Sequence, residues 1–225
     1  MPGNRVRKKP EMNESYRHKG LRKKLIEEIR SKGVSDNRVL EAMERVPRHM
    51  FMDSSFVKFA YRDQAFPIGC DQTISQPYTV AYQTELLEVR RHDKVLEVGT
   101  GSGYQAAVLL EMGAKVYTIE RQRELFLKAQ SFLPEIGYKP HFFYGDGYAG
   151  IPSYAPFDRI IVTAGAAEIP EKLFEQLRVG GIMVVPVGES SSQVMMRIER
   201  ISDEEYKKSE HGHFVFVPLL KGKSF

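Results

Sequence analysis

Three acidic side chains of this chain each stand at or near the end of a short apolar run: Glu97, Glu120 and Asp146. The first run leads into a Gly-rich loop, residues 99–103, and a helical pattern follows the loop. Glycines let a backbone approach a ligand where a Cβ would collide. Open α/β sheets bind their ligands at the carboxyl ends of their strands. The spacing therefore predicts a nucleotide-type ligand held among these residues.

The spacing of the glycines and the three acidic side chains together narrow the choice of ligand. In the dinucleotide pattern G-x-G-x-x-G the third glycine would fall on Tyr104 or, in the alternative register, on Ala106, which only the looser form of the pattern tolerates. The motif alone therefore leaves NAD open. A carboxylate at Glu97 would repel a pyrophosphate and suits an ammonium group. Glu120 can accept hydrogen bonds from both ribose hydroxyls, and Asp146 can reach an adenine amino group.

The elements that position these residues follow from the alternation of apolar runs and helical patterns after residue 93. This alternation favours a mostly parallel, doubly wound α/β sheet. The predicted strands are 94–99, 115–120, 139–147, 157–165 and 180–188, and the predicted helices are 101–113, 121–137 and 170–177. Residues 193–202 and 212–220 alternate apolar and polar side chains, which is typical of an antiparallel edge hairpin. The segment before residue 81 predicts a helical cap, with an extended loop over 61–77.

The composition is that of a globular protein with a real core: 225 residues, 42% hydrophobic and 28% charged. The net charge of +4 is uneven, because residues 1–24 carry +7 and the rest of the chain −3. We therefore expect a basic, disordered tail at 1–15, a helical cap with an active-site loop at 16–80, and an α/β domain at 81–225 packed with the cap as one unit. A slightly acidic body does not favour a nucleic-acid-binding face. The single cysteine indicates a reducing cytoplasm.

The acidic residue before the Gly-rich loop and the two further acidic strand ends together resemble the class I S-adenosylmethionine (AdoMet) methyltransferases. Over nearly its whole length the chain also resembles the protein-L-isoaspartate O-methyltransferases. The pieces that carry this resemblance are VSDNRVLEAMERVPRHMF (34–51), PIGCDQTISQPYTVA (67–81), VLEVGTGSGYQAAVLLE (95–111), GDGYAGIPSYAPFDRIIVTAG (145–165), LRVGGIMVVPVG (177–188) and FVPLLKG (216–222). The TISQP segment ahead of the Gly-rich loop separates this family from other AdoMet enzymes. Cys70 and Asp71 depart from it, since a His-Gly-like pair is expected there.

The resemblance implies AdoMet as the methyl donor, S-adenosyl-L-homocysteine as the product, and isoaspartyl-containing peptides and proteins as substrates. The family methylates the free α-carboxylate of L-isoaspartyl residues, and the ester then cyclises to a succinimide whose hydrolysis returns some normal aspartate. Ser75 is the predicted catalytic residue, either donating a hydrogen bond to the acceptor carboxylate or securing the loop over AdoMet. The predicted AdoMet-binding residues are Glu97, Gly99, Thr100, Gly101, Glu120, Asp146 and Gly147. The predicted lid and substrate cleft consist of Thr73, Gln76, Val80 and Val217.

Several alternatives stay open at this point. Ser75 or Gln76 precedes Pro77 and can be read simply as a helix start. The chain can also be an AdoMet methyltransferase for a small molecule or RNA, or a non-catalytic AdoMet-binding module. An NAD-dependent oxidoreductase is a further alternative, which Glu97 disfavours. We expect a monomer with no metal, no membrane partner and no obligate nucleic acid.

Overall fold

Within residues 15–189 and 191–224, which the computed structural model describes, a seven-stranded sheet forms the centre of the protein. Its strands lie in the order β5-β4-β3-β6-β7-β8-β9. They are β3 (Lys94–Val98), β4 (Lys115–Glu120), β5 (His141–Tyr144), β6 (Phe157–Val162), β7 (Leu177–Val187), β8 (Gln193–Arg200) and β9 (Tyr206–Phe214). A separate hairpin consists of β1 (Phe66–Gly69) and β2 (Gln72–Ile74). The α-helices are α1 (Tyr16–Ser31), α2 (Asn37–Arg45), α3 (Pro77–Leu87), α4 (Tyr104–Glu111), α5 (Arg123–Glu135) and α6 (Glu171–Gln176).

The strands from β3 to β7 are parallel and form the doubly wound part of the sheet. The central strand β3 is buried from Val95 onward, as expected for a parallel strand covered on both faces. Its last residue, Val98, pairs with Ile119 of β4 on one side and Val162 of β6 on the other. The winding therefore reverses beside β3, and such a switch point opens a crevice at the carboxyl ends of the strands. The predicted fold class is confirmed.

The last two strands are antiparallel and form the predicted edge hairpin, but its second arm lies six residues earlier in the chain than expected. The sequence predicts this arm over 212–220, whereas β9 ends six residues before that limit. Residues 215–224, here called the C-terminal strap, instead cross the carboxyl ends of the strands. Gly165 N donates to Val217 O at 2.8 Å, and Leu219 N donates to Gly165 O at 2.7 Å. These bonds satisfy backbone groups that an exposed edge strand would leave unpaired.

The cap is helical, as predicted, but the loop predicted over 61–77 contains the hairpin of β1 and β2. Cys70 and Asp71 form its turn, with φ angles of 52° and 54°. Two central residues with positive φ suit the tight turn of a hairpin, and Asn-Gly or Asp-Gly is its usual sequence signal. The Cys-Asp pair lacks that signal, which is why the sequence predicts an extended loop here instead of a hairpin.

The cap shares an apolar cluster with two helices of the α/β domain, α4 and α5. Ile29 of α1 and Met43 of α2 are buried in the same cluster as Tyr104 of α4 and Leu133 of α5. The domain boundary predicted between residues 80 and 81 falls inside α3. We therefore propose the cap and the α/β domain as two sequence segments of a single folded unit.

The segment predicted as a disordered tail, residues 1–15, lies outside the described residues except for Ser15. The Ser15 hydroxyl accepts a hydrogen bond from His18 N at 3.2 Å and so caps the start of α1. From there α1 buries Leu25 and Ile29 against the rest of the cap. No helix in the described part of the chain has the length and apolar character that a bilayer crossing requires.

Candidate active site

The Gly-rich loop turns sharply between β3 and α4. Two of its positions require glycine, because a Cβ there would collide with a neighbouring side chain. At Gly99, φ is 97° and a Cβ would lie 2.5 Å from the Thr163 hydroxyl. At Gly103, φ is 82° and a Cβ would lie 2.6 Å from a methyl group of Leu133. The Thr163 hydroxyl donates to Gly99 O at 2.7 Å. The loop is therefore packed closely against β6 at its start and against α5 at its end.

Glu120, at the end of β4, is oriented by two backbone amides. Its Oε2 accepts from Gly101 N at 2.9 Å and its Oε1 from Gln122 N at 2.8 Å. The side chain is buried yet contributes to the wall of the crevice. An ionised carboxylate can accept about four hydrogen bonds, so each oxygen retains a free lone pair. This arrangement suits the pair of hydroxyls of a ribose, as the sequence predicts.

Glu97 lies beneath the Gly-rich loop and is fully buried, with 0% of its surface exposed. Neither carboxylate oxygen has a hydrogen-bond partner among the described residues. Burial raises the pKa of Glu97 to about 8; the Glu120 carboxylate adds to this effect, while the neighbouring Thr118 hydroxyl and Ala106 amide oppose it. Glu97 does not line the crevice. Its direct contact with an ammonium group therefore stays a prediction.

Asp146, after β5, makes hydrogen bonds within the protein through both of its oxygens. Oδ1 accepts from Tyr148 N and Oδ2 accepts from Gly222 N, both at 2.9 Å. Asp146 therefore ties the C-terminal strap to the sheet, and it does not line the crevice. The adjacent Gly147 does line it. The predicted contact of Asp146 with an adenine amino group stays a prediction.

Two cavities meet at the carboxyl edge of the sheet. The first occupies the crevice beside the Gly-rich loop and encloses about 840 Å³, its open mouth included. The second lies between the start of α3 and the end of β9 and encloses about 1110 Å³ on the same basis. The residues that line both are Thr73, Ser75, Thr163 and Val217.

Ser75 follows β2 directly and precedes α3, so it stands in the wall between the two cavities. It does not cap α3: the N-cap residue is Gln76, which makes no side-chain cap bond. The cap comes from Asp63, whose Oδ1 accepts from Tyr78 N at 2.7 Å. Asp63 Oδ2 also accepts from Gln76 Nε2 at 2.9 Å. The structure thus assigns the capping of α3 to a residue outside the TISQP segment.

Most of the predicted site residues are brought together. Those lining the first cavity are Thr73, Ser75, Val80, Gly99, Thr100, Gly101, Glu120, Gly147 and Val217. Gln76 lines the second cavity, while Glu97 and Asp146 line neither. Sequence reasoning missed Thr163, although it follows the apolar run of β6. In the strap it named only Val217, and Pro218–Leu220 also line the first cavity. Among the described residues no group of three or more His, Cys, Asp or Glu side chains could hold a metal ion.

We expect Glu97→Gln to change the pH dependence of stability of the unliganded protein. Because the folded-state pKa of Glu97 lies above its usual 4.5, wild-type stability should fall as the pH rises from about 5 and level off above about 8. The glutamine variant should lack this fall, with a relative gain of at most about 5 kcal/mol at pH 9. Urea unfolding at pH 5, 7 and 9 measures the difference. The exposed Glu175→Gln is the control; identical slopes in all three proteins would contradict the expectation.

Comparison with known proteins agrees with this geometry. The family model described as protein-L-isoaspartate(D-aspartate) O-methyltransferase (PCMT) matches residues 20–224. A protein-L-isoaspartate O-methyltransferase of Christiangramia forsetii is 58% identical over 214 residues, which are 95% of this chain and 100% of that protein. The enzyme of the same name from Flavobacterium psychrophilum is 56% identical over 214 residues, with the same coverage of both chains.

A solved structure from Plasmodium falciparum agrees at the level of the fold. It is described as a protein-L-isoaspartate O-methyltransferase (beta-aspartate methyltransferase) in complex with S-adenosyl-L-homocysteine; it is 25% identical to this chain, with a TM-score of 0.77. The match covers 91% of this chain and 98% of that one. The likeness therefore extends from the sequence to the whole fold, including the cap. The chain belongs to the protein-L-isoaspartate(D-aspartate) O-methyltransferase family.

Proposed function

We propose that this protein transfers the methyl group of AdoMet to the free α-carboxylate of L-isoaspartyl residues in damaged proteins and peptides, which starts their repair through a succinimide. The observation that carries the proposal is the common wall of the two cavities, formed by Thr73, Ser75, Thr163 and Val217. The first cavity is the place for AdoMet and the second for the isoaspartyl peptide. A donor and an acceptor in adjoining cavities are brought together without bulk water between them.

The residues around the first cavity fit AdoMet. The Glu120 carboxylate keeps acceptor capacity for the two ribose hydroxyls after binding Gly101 N and Gln122 N. Gln105, which also lines the cavity, has a buried Oε1 without a partner among the described residues, and this oxygen suits an ammonium donor. When bound, AdoMet supplies an electrophilic methyl group on a sulfonium. The chain's own contribution is to bind, orient and enclose.

The chemistry requires positioning more than proton transfer. A carboxylate acceptor is already ionised at neutral pH, so it needs no general base. The side chains of the common wall agree with this, because none of them is a titratable base: they are two threonines, a serine and a valine. Ser75 donates its hydroxyl hydrogen to the acceptor carboxylate or secures the loop, and it does not act as a nucleophile. The rate then depends on holding the acceptor oxygen in line with the methyl group.

The family assignment favours the methyltransferase over the NAD-dependent alternative. No feature of the two cavities specifically favours RNA or a small molecule as acceptor. The monomeric state, the absence of an obligate nucleic-acid partner and the cytoplasmic location expected from the sequence stay predictions. Ultracentrifugation of the purified protein measures the first of these.

The decisive experiment for this function is incubation with labelled AdoMet and paired peptides that differ only in containing Asp or isoAsp at one position. We expect label on the isoaspartyl peptide alone, in a base-labile form typical of a methyl ester. A denatured enzyme sample is the control for non-enzymatic labelling. Absence of label from both peptides, or equal labelling of the two, would contradict the proposal.

Glu120→Ala should weaken AdoMet binding by about 1–3 kcal/mol, because bound hydroxyls would be left without an acceptor. Glu120→Gln keeps the side-chain volume and part of the hydrogen-bond acceptor capacity, so it should weaken AdoMet binding less than Glu120→Ala. Titration calorimetry measures both affinities, with the exposed Glu135→Ala at the end of α5 as the matched control. An unchanged AdoMet affinity in Glu120→Ala would contradict the proposal that Glu120 binds the ribose hydroxyls.

Ser75→Ala should lower turnover on the isoaspartyl peptide roughly ten- to a thousand-fold, the range for a hydrogen bond that strengthens toward the transition state. AdoMet affinity should change far less. Ser75→Thr keeps the hydroxyl and should retain partial activity. The exposed Ser31→Ala in α1 serves as control. Turnover, calorimetric affinity and melting temperature are measured on one preparation; normal turnover with lower stability would reduce Ser75 to a structural role.

A further inference from the structure

Arg48 is a fully buried arginine in the short 3-10 turn that follows α2, with 0% of its surface exposed. Its Nη2 donates to Ser75 O at 2.8 Å and makes a longer contact with Gln64 O at 3.4 Å. The Ser75 carbonyl belongs to the segment that separates the two cavities. A side chain of the cap therefore holds the backbone of the predicted catalytic residue directly.

The same guanidinium lies over the ring of Tyr104, with 4.9 Å between its central carbon and the ring centroid. Tyr104 is the first residue of α4, directly after the Gly-rich loop, and it lines the first cavity. Phe51 packs edge-on against the same ring, with 5.4 Å between centroids. Arg48 thus contacts both the segment that carries Ser75 and the helix that begins at the methyl-donor cavity.

A buried arginine in this position is not expected to stabilise the fold. Burial lowers the pKa of Arg48 to about 10, although nearby Tyr104 and Asp63 favour its charged form, so the side chain is still charged at neutral pH. Its Nε and Nη1 have no hydrogen-bond partner among the described residues. A buried charge without full hydrogen bonding is expensive, and a well-packed apolar residue in such a place is often neutral or stabilising. The arginine therefore calls for a reason other than packing.

We propose that Arg48 is a positioning residue that sets the spacing between the Ser75 segment and the AdoMet cavity. Its guanidinium donates to the Ser75 carbonyl through Nη2 and lies over the Tyr104 ring. Rigid placement of the Ser75 segment relative to the AdoMet cavity matters, because a displacement of about 1 Å can lower a rate on the order of a hundred-fold. The inference rests on the proposed methyl transfer, since it assigns Arg48 a part in that reaction.

Arg48→Met, Arg48→Lys and a matched control, Arg159→Met, test the inference. Arg159 is also buried, with 2% exposure, and donates from Nη2 to the Glu88 carbonyl at 3.1 Å. It lies near the start of β6, at the opposite end of α3 from Ser75. Its replacement removes a buried charge, here one paired with Asp93 at 3.6 Å, without altering a residue that lines either cavity. Single-turnover rates at saturating AdoMet, peptide KM, AdoMet affinity and melting temperature are measured for each variant.

We expect Arg48→Met to lower the single-turnover rate roughly ten- to a hundred-fold, with AdoMet affinity and peptide KM within about threefold of wild type. Arg159→Met should lose melting temperature and keep its rate. Arg48→Lys retains a donor but loses the planar contact with Tyr104, so its rate should be intermediate. A folded Arg48→Met with the rate of Arg159→Met would overturn the inference. If Arg48→Met does not fold, Arg48→Lys decides, and a wild-type rate there overturns it. A wild-type protein inactive on isoaspartyl peptide would overturn the proposed function, and this inference with it.

Discussion

The Gly-rich loop is held from both sides of the central strand, and the rest of the site depends on this restraint. On the β4 side the Glu120 carboxylate accepts from Gly101 N at 2.9 Å, and on the β6 side the Thr163 hydroxyl donates to Gly99 O at 2.7 Å. Glu120 ends β4 and Thr163 directly follows β6, and these two strands flank β3 in the sheet. The loop therefore presents a fixed backbone surface to a ligand, without the entropy loss that a flexible loop would suffer on binding.

Two further segments cover this surface from opposite directions. The C-terminal strap crosses the strand ends and is bound at Gly165 and at Asp146. The segment before α3 approaches from the cap, and Asp63 fixes it by accepting from Tyr78 N. The Asp63 carboxylate is in turn paired with Lys32 of the cap at 2.6 Å. The two cavities are thus formed by chain segments far apart in sequence, joined through a few polar contacts.

Glu97 and Arg48, both near the Gly-rich loop, are ionisable groups with 0% of their surface exposed. Glu97 lies under it with both oxygens unpartnered in the described part of the chain, and Arg48 lies beside the helix that follows it. Burial disfavours the charged form of both groups, so it raises the pKa of Glu97 and lowers the pKa of Arg48. A fold selected for stability alone would place apolar side chains here.

Much of this protein follows from the local sequence. The alternation of strands and helices, the turn at Gly99 and the acidic end of β4 at Glu120 each depend on neighbouring residues, so they are predictable from the chain itself. The family resemblance placed Ser75 beside the AdoMet cavity, and the structure puts it in the wall between the two cavities.

Which distant residues meet depends on how the elements pack in three dimensions. The tertiary structure paired Asp146 with Gly222, it brought Arg48 to the Ser75 carbonyl, and it ended β9 where the strap could bind Gly165. The hairpin that turns at Cys70 and Asp71 could not be predicted from the sequence either, because this pair is not one of the usual turn sequences with positive φ. Each of these contacts depends on the arrangement of several elements at once. Periodicity and turn signals describe one element at a time, so they leave such contacts open.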